Sequence, residues 1–203
     1  MEIEFSRERI VFNRVHSSFD RFVMDFCDIL QELGIRHVLV SGYVAIFFGR
    51  SRTSEDVDLL VERLDSQRFG EMWKILDRDF ECLNTRDQDE AYYEYLLNNT
   101  AIRFAKKGKV IPNMEFKFTK TALDEETLER RVLVETSGRK IFISPPEIQI
   151  AYKMYLGSDK DLEDASHLFE VLKDHLDRKS LVGYLTRLKV PHDRVRTYLE
   201  EAK

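Results

Sequence analysis

Apolar residues recur at Phe12, Val15, Phe19, Phe22, Phe26, Ile29 and Leu33, in alternating steps of three and four. That spacing predicts one long amphipathic helix, ended by Gly34. Its stripe suits core packing, and the same stripe could pair two copies of the chain as a homodimer. The pattern then shortens. RHVLV predicts a strand, GYVAIFFG a short helix closed by Gly49, and DVDLLVE a second buried strand. In DSQRFGEMWKILDRDF an Asp stands at the N-cap and Phe69, Met72, Trp73 and Leu76 repeat with helical spacing. NTRDQDEAYYEYLLNN is polar first and aromatic later, which fits a loop and helix over a cleft. AIRFA and NMEFKF read as strands joined through Lys106, Lys107, Gly108 and Lys109. A charged helical segment from Asp124 to Arg131 precedes VLVET and KIFIS, a hairpin about Ser137-Gly138. From Ser144 onward the pattern is helical to Lys203. It starts at Ser144-Pro145-Pro146-Glu147, with Pro in the first turn and Glu147 as a capping partner.

These elements divide the chain into an N-terminal helical segment over 1–34, an α/β core over 35–143 and a helical part over 144–203. No repeat or low-complexity linker separates them. At 203 residues and 43% hydrophobic the chain can bury a sizeable core. Eight Gly and four Pro argue against a fibrous or disordered chain. A net charge of −5 gives no global attraction to nucleic acid. A local patch could still form from Lys106, Lys107, Lys109, Arg130, Arg131, Arg139 and Lys140. Cys27 and Cys82 lie in apolar settings without metal-type spacing, which fits reduced thiols in a cytoplasmic protein. The start MEIEFSRERIVF lacks a signal-type apolar stretch, and no run approaches the roughly 18 apolar residues of a membrane span. The five histidines are scattered without a metal-type pair, and neither a Ser-His-Asp order nor a glycine-rich dinucleotide turn stands out.

The chemistry concentrates in VSGYVAIFFGRSRTSEDVDLLV. Residues two apart in a strand share a face, so Asp56 and Asp58 project together while Val57, Leu59 and Val61 face the other way. Two carboxylates a strand-pitch apart suit one or two hard cations, and magnesium commonly takes one or two carboxylates plus substrate phosphates. Ser41-Gly42 opens a helix directly after a strand, where backbone N–H groups and the Ser41 hydroxyl could meet an anion. Arg52, in the loop before the acidic strand, could hold the carboxylates or touch phosphate. In NMEFKF, Glu115 and Lys117 share the face opposite Met114 and Phe116, either as a working acid and its neighbour or as the wet side of an exposed strand.

This stretch resembles the first motif of the nucleotidyltransferase superfamily with the polymerase-β-like core: strand, small-residue step, short helix, Gly49, Arg52-Thr53, then Asp56-x-Asp58 in a strand. Within it, the chain is most similar to the minimal prokaryotic branch related to AbiEii-type toxins. PPEIQIAYKMYLGSDKDLEDASHLFEVL resembles that branch's later helical motif through Glu147, Lys153, Lys160, Asp161 and Asp164. The resemblance implies a mixed sheet with flanking helices. It also implies magnesium-dependent transfer of a nucleoside monophosphate from a nucleoside triphosphate to an acceptor hydroxyl. The acceptor could be tRNA, a protein or a small molecule. Asp56 and Asp58 would hold one or two magnesium ions, with Glu115 as the third acid, ligand or base. Ser41, Gly42, Arg52 and Lys153 would bind the nucleotide, while Asp161 and Asp164 would orient Lys153 or Arg52. Departures from the family pattern at Ser41-Gly42, Glu115 and Lys160 keep a second reading open: a catalytically degenerate nucleotide-binding or regulatory, antitoxin-type protein of the same fold. A scaffold built on the N-terminal stripe is a third.

Overall fold

The computed structural model describes residues 4–6 and 9–200. Its centre is a nine-stranded mixed sheet, made of β1 (Glu4–Phe5), β2 (Arg9–Val11), β3 (His37–Leu39), β4 (Asp56–Val61), β5 (Phe80–Cys82), β6 (Ile102–Lys106), β7 (Asn113–Phe118), β8 (Val132–Thr136) and β9 (Arg139–Ile143), in the spatial order β1-β2-β8-β9-β3-β4-β7-β6-β5. β2–β8, β3–β9 and β4–β7 pair in parallel and the other neighbours antiparallel. The hairpin β8–β9 turns at Ser137 and Gly138, both at positive φ. Such a turn matches the twist of the strands it joins.

The N-terminal expectation needs a correction. The helix α1 covers only Ser18–Glu32. Ser17 accepts from the Asp20 backbone N–H and Asp20 accepts from the Ser17 N–H, a reciprocal cap that fixes the start. Arg9–Val11 is extended and pairs with β8, and Val15 is 94% exposed. Phe12 and Val15 therefore have helical spacing without being helical. Phe22 and Phe26 of the stripe are buried in the chain's own core, with Phe19, Ile29 and Leu33 packed against it.

The short helix after β3 is α2 (Gly42–Phe47), and α3 (Ser66–Leu76) starts where Asp65 accepts from the Arg68 N–H. The polar-then-aromatic stretch is helical in pieces: α4 (Gln88–Glu90), a π-helical turn (Ala91–Tyr95) and a 3-10 turn (Leu96–Asn98). Helix α5 (Ala122–Glu129) is capped by Thr121 and Asp124. The C-terminal part holds α6 (Pro146–Leu156), α7 (Asp159–Leu172), α8 (Arg178–Arg187) and α9 (His192–Val195), followed by a π-helical turn over Arg196–Glu200. The last three positions of the expected helical run to Lys203 lie outside the described residues. Pro146 stands in the first turn of α6 as expected, but Glu147 does not cap it. Glu147 Oε1 accepts from the Asp177 N–H at 2.8 Å and so ties α6 to the start of α8.

One face of β4 carries Val57, Leu59 and Val61 into a large core. That core also contains Phe26 of α1, Phe69 of α3 and Phe116 of β7, together with Ile150, Leu168 and Leu185 of the C-terminal helices. The α/β and helical parts thus share one continuous apolar cluster. On the opposite face a small cluster of Val38, Leu60 and Leu128 lies where α5 packs on β3 and β4. It covers the Leu60 end of β4 and leaves Asp56, at the other end, exposed. Cys27 and Cys82 are both buried and free. No helix among the described residues is long and apolar enough to cross a membrane.

Candidate active site

Parallel pairing of β4 with β7 sets Asp56 opposite Asn113, Asp58 opposite Glu115 and Leu60 opposite Lys117. The two-residue period of each strand then brings Asp56, Asp58, Asn113, Glu115 and Lys117 onto one face. Asn113 Nδ2 donates to Asp56 Oδ1 at 2.7 Å. Lys117 Nζ donates to Asp58 Oδ1 at 2.7 Å and to Glu115 Oε1 at 3.4 Å. From β6, Arg103 Nη2 donates to Glu115 Oε2 at 3.2 Å. Burial opposes the charge on Lys117, yet Asp58 and then Glu115 outweigh it and hold the ammonium above its ordinary pKa.

This face borders a cleft of about 280 Å³ whose lining includes Asp58, Lys117, Ser41, Lys120, Gln149 and Tyr152. Tyr152, on α6, is 43% exposed. The cleft therefore combines one acid from the sheet, Asp58, with polar and aromatic groups from the turn after β3 and from α6.

The donor set fits a divalent cation in one respect. Asn113 engages a single oxygen of Asp56 and Lys117 a single oxygen of Asp58, so among the described residues each carboxylate keeps a second oxygen for a ligand. Two such carboxylates with substrate phosphates and waters make a suitable magnesium environment. Glu115 is held differently, with Lys117 on one oxygen and Arg103 on the other. Among the described residues no group of three His, Cys, Asp or Glu side chains is arranged to hold a metal.

The remaining site residues gather elsewhere. Arg52 grips Asp164 with both arms, Nε to Oδ1 at 2.9 Å and Nη2 to Oδ2 at 2.8 Å. Lys153 Nζ lies 2.9 Å from Asp164 Oδ2 and 3.0 Å from Asp161 Oδ1. Asp161 in turn takes the Ser158 hydroxyl at 2.6 Å. Burial alone would raise the Asp164 pKa, but hydrogen bonds from Arg52 and Lys153 prevail and leave it below the usual carboxylate value. Lys153 is only 1% exposed, so its ammonium faces neither bulk solvent nor an open cleft. No hydrogen bond or ion pair among the described residues joins this cluster directly to Asp56, Asp58 or Glu115. Lys160 is exposed.

Ser41 and Gly42 link the two groups. Ser41 has φ 61° and ψ −134°, a backbone state that costs a non-glycine residue on the order of 1–3 kcal/mol. Gln149 of α6 holds it there, with Oε1 accepting from the Ser41 N–H at 3.1 Å and Nε2 donating to the Ser41 C=O at 2.8 Å. The Ser41 N–H is therefore engaged by a side chain. A Cβ on Gly42 would come 2.3 Å from Arg52 Nη2, so glycine here admits the guanidinium that reaches Asp164.

Sequence reasoning did not single out Asn113, Gln149 or Tyr152 for the site, and it treated Lys117 only as a neighbour of Glu115. Strand phase pointed to Lys117, since it shares the Glu115 face. Nothing local marked Gln149, whose partner lies 108 residues away. The basic residues considered for a nucleic-acid patch are largely met by the chain's own acids. Arg139 pairs with Asp25 and Asp28, Lys106 with Asp25, Lys140 with Glu135 and Arg130 with Glu126.

No family model and no curated protein matches the sequence. Among solved structures, the chain is similar to an antigenic nucleotidyltransferase-like protein from Paracoccidioides brasiliensis. That match has 16% identity and a TM-score of 0.54, and covers 88% of this chain and 90% of the other. JHP933 from Helicobacter pylori matches at 16% identity and a TM-score of 0.47, over 91% of this chain and 80% of its own. The fold, a mixed sheet with flanking helices, is nucleotidyltransferase-like.

Proposed function

We propose that the protein is a magnesium-dependent nucleotidyltransferase of the minimal prokaryotic branch related to AbiEii-type toxins. It would move a nucleoside monophosphate from a nucleoside triphosphate to an acceptor hydroxyl, with pyrophosphate leaving. The observation that carries this reading is the pair Asp56 and Asp58 on one face of β4, each with one oxygen unbonded among the described residues, with Asp58 lining a cleft in a nucleotidyltransferase-like fold. Magnesium bound there supplies charge neutralisation and alignment of the triphosphate.

The side chains around it have separable tasks. Asp56 and Asp58 hold the cation, and Asn113 fixes the orientation of Asp56. Lys117 and Lys120 set positive charge along the cleft that receives the phosphates. Gln149 fixes the strained Ser41 turn at the cleft wall. Arg52 and Lys153 act through Asp164, by locking α6 and α7 against the Gly42 turn rather than by touching the phosphates. Glu115 holds Lys117 in place.

Incubation with each labelled nucleoside triphosphate, magnesium and a cell extract tests the reading. Label transferred to an acceptor by the wild type and abolished in Asp58→Asn is the expected result. Nucleotide binding with no transfer and no pyrophosphate release would instead identify a regulatory, antitoxin-type protein of the same fold.

A further inference from the structure

Lys117 sits where one cation already bridges two carboxylates from neighbouring strands. Its Nζ is 2.7 Å from Asp58 Oδ1 and 3.4 Å from Glu115 Oε1. Asp58 and Glu115 are register partners across β4 and β7, and Lys117 lies two residues beyond Glu115 on the same face. A divalent ion linking those two strands would have to enter the same space. Glu115 is poorly placed to release its hold, because Arg103 occupies its other oxygen at 3.2 Å. The charges agree. Three carboxylates, Asp56, Asp58 and Glu115, face two side-chain cations, Lys117 and Arg103, which leaves one net negative charge. One divalent ion overcompensates that charge slightly, and a second would have to displace a partly buried ammonium from two carboxylates, a costly exchange. Among the described residues, the carboxylate oxygens of this face without a partner lie on Asp56 and Asp58, so the capacity for a ligand is concentrated on the β4 side.

We propose that Lys117 stands in for a second metal ion, so that the acidic face takes one divalent cation, held by Asp56 and Asp58, with the Lys117 ammonium as the fixed second charge. This rests on the reading of Asp56 and Asp58 as cation holders, and it specifies how many ions that site takes and what replaces the other. Lys117 is a positioning cation in this arrangement. It fixes Asp58 and Glu115 and lines the cleft that the phosphates would enter. A fixed ammonium has no coordination sphere to exchange, so the site needs to recruit only the ion that arrives with the triphosphate.

Crystals of the intact protein soaked with Mn²⁺ and inorganic tripolyphosphate, a probe without a base, give the test through anomalous scattering from manganese. The expected result is a single peak against Asp56 and Asp58 in the wild type. In Lys117→Met, which keeps the length and removes the charge, a second peak appears between Asp58 and Glu115. Two peaks in the wild type overturn the inference while leaving the Asp56–Asp58 site intact. A single peak that persists in Lys117→Met overturns it as well. No peak at Asp56 and Asp58 in the wild type removes both the inference and the cation site it rests on. The wild-type result decides by itself if Lys117→Met does not crystallise.

Discussion

Asp164 is the residue on which three cations, Arg50, Arg52 and Lys153, converge, and it is fully buried. Removing its charge strands Arg52 and leaves the buried Lys153 with Asp161 alone. Asp164→Asn should therefore lower stability by about 3–5 kcal/mol, the usual cost of breaking a buried pair from one side, as read from urea denaturation. A loss below about 1 kcal/mol would mean that the cluster is solvated and contributes little. His37 offers a second residue-scale prediction. It is 1% exposed, its Nδ1 lies 2.9 Å from the Ile35 C=O, and its buried Nε2 has no hydrogen-bond partner among the described residues. Burial pushes its pKa down to about 4. Because the unfolded chain binds this proton more readily, the His37 contribution is complete above about pH 6.5 and is lost as the pH falls toward 4. Going from pH 7.5 to 5.5 should cost roughly 1–2 kcal/mol through this residue. His37→Leu should flatten that part of the stability profile, and an unchanged slope would assign it to other groups. Some of this scale was legible in the sequence. The shared phase of Asp56 with Asp58, and the helical spacing of Asp161 with Asp164, follow from local geometry. The meeting of Arg52 with Asp164 does not, because 112 residues separate them.

At the scale of elements, spacing alone overextended the first helix. Phe12 and Val15 continue a three-and-four rhythm, but that rhythm carries no information about where a cap lies. The stop is chemical: Ser17 and Asp20 satisfy each other's backbone N–H groups, and Asp20 also takes Arg14 at 2.6 Å and the Tyr43 hydroxyl at 3.1 Å. Ser17→Ala should lose about 1 kcal/mol in urea denaturation, the ordinary worth of an N-cap. No loss would show that Asp20 and its other partners set the helix start without Ser17. The strands β1, β2 and β5 escaped notice for a different reason. Each has at most three residues, too few for a two-residue period to register, and the equally short β3 is marked by the β-branched run RHVLV rather than by a period. The strands that build the site, β4 and β7, have six residues each and announced themselves clearly.

For the whole molecule, the chain order places an acidic strand pair and a helical layer on either side of one cleft, and one apolar cluster runs through both. The helical part was visible in the sequence as a change of period at Ser144. Its way of joining the sheet was not, since that depends on Gln149 reaching the Ser41 backbone and on Arg52 reaching Asp164. Lys153, expected to meet the triphosphate, is buried and held by Asp161 and Asp164. The central claim is that Asp56 and Asp58 hold a cation which carries a nucleoside triphosphate. Calorimetric titration with a non-hydrolysable triphosphate analogue, with and without magnesium, measures it most directly. The account predicts binding by the wild type that requires magnesium and that falls at least tenfold in both Asp56→Asn and Asp58→Asn, each variant remaining folded. Affinity unchanged by magnesium, or unchanged in the two variants, would contradict it.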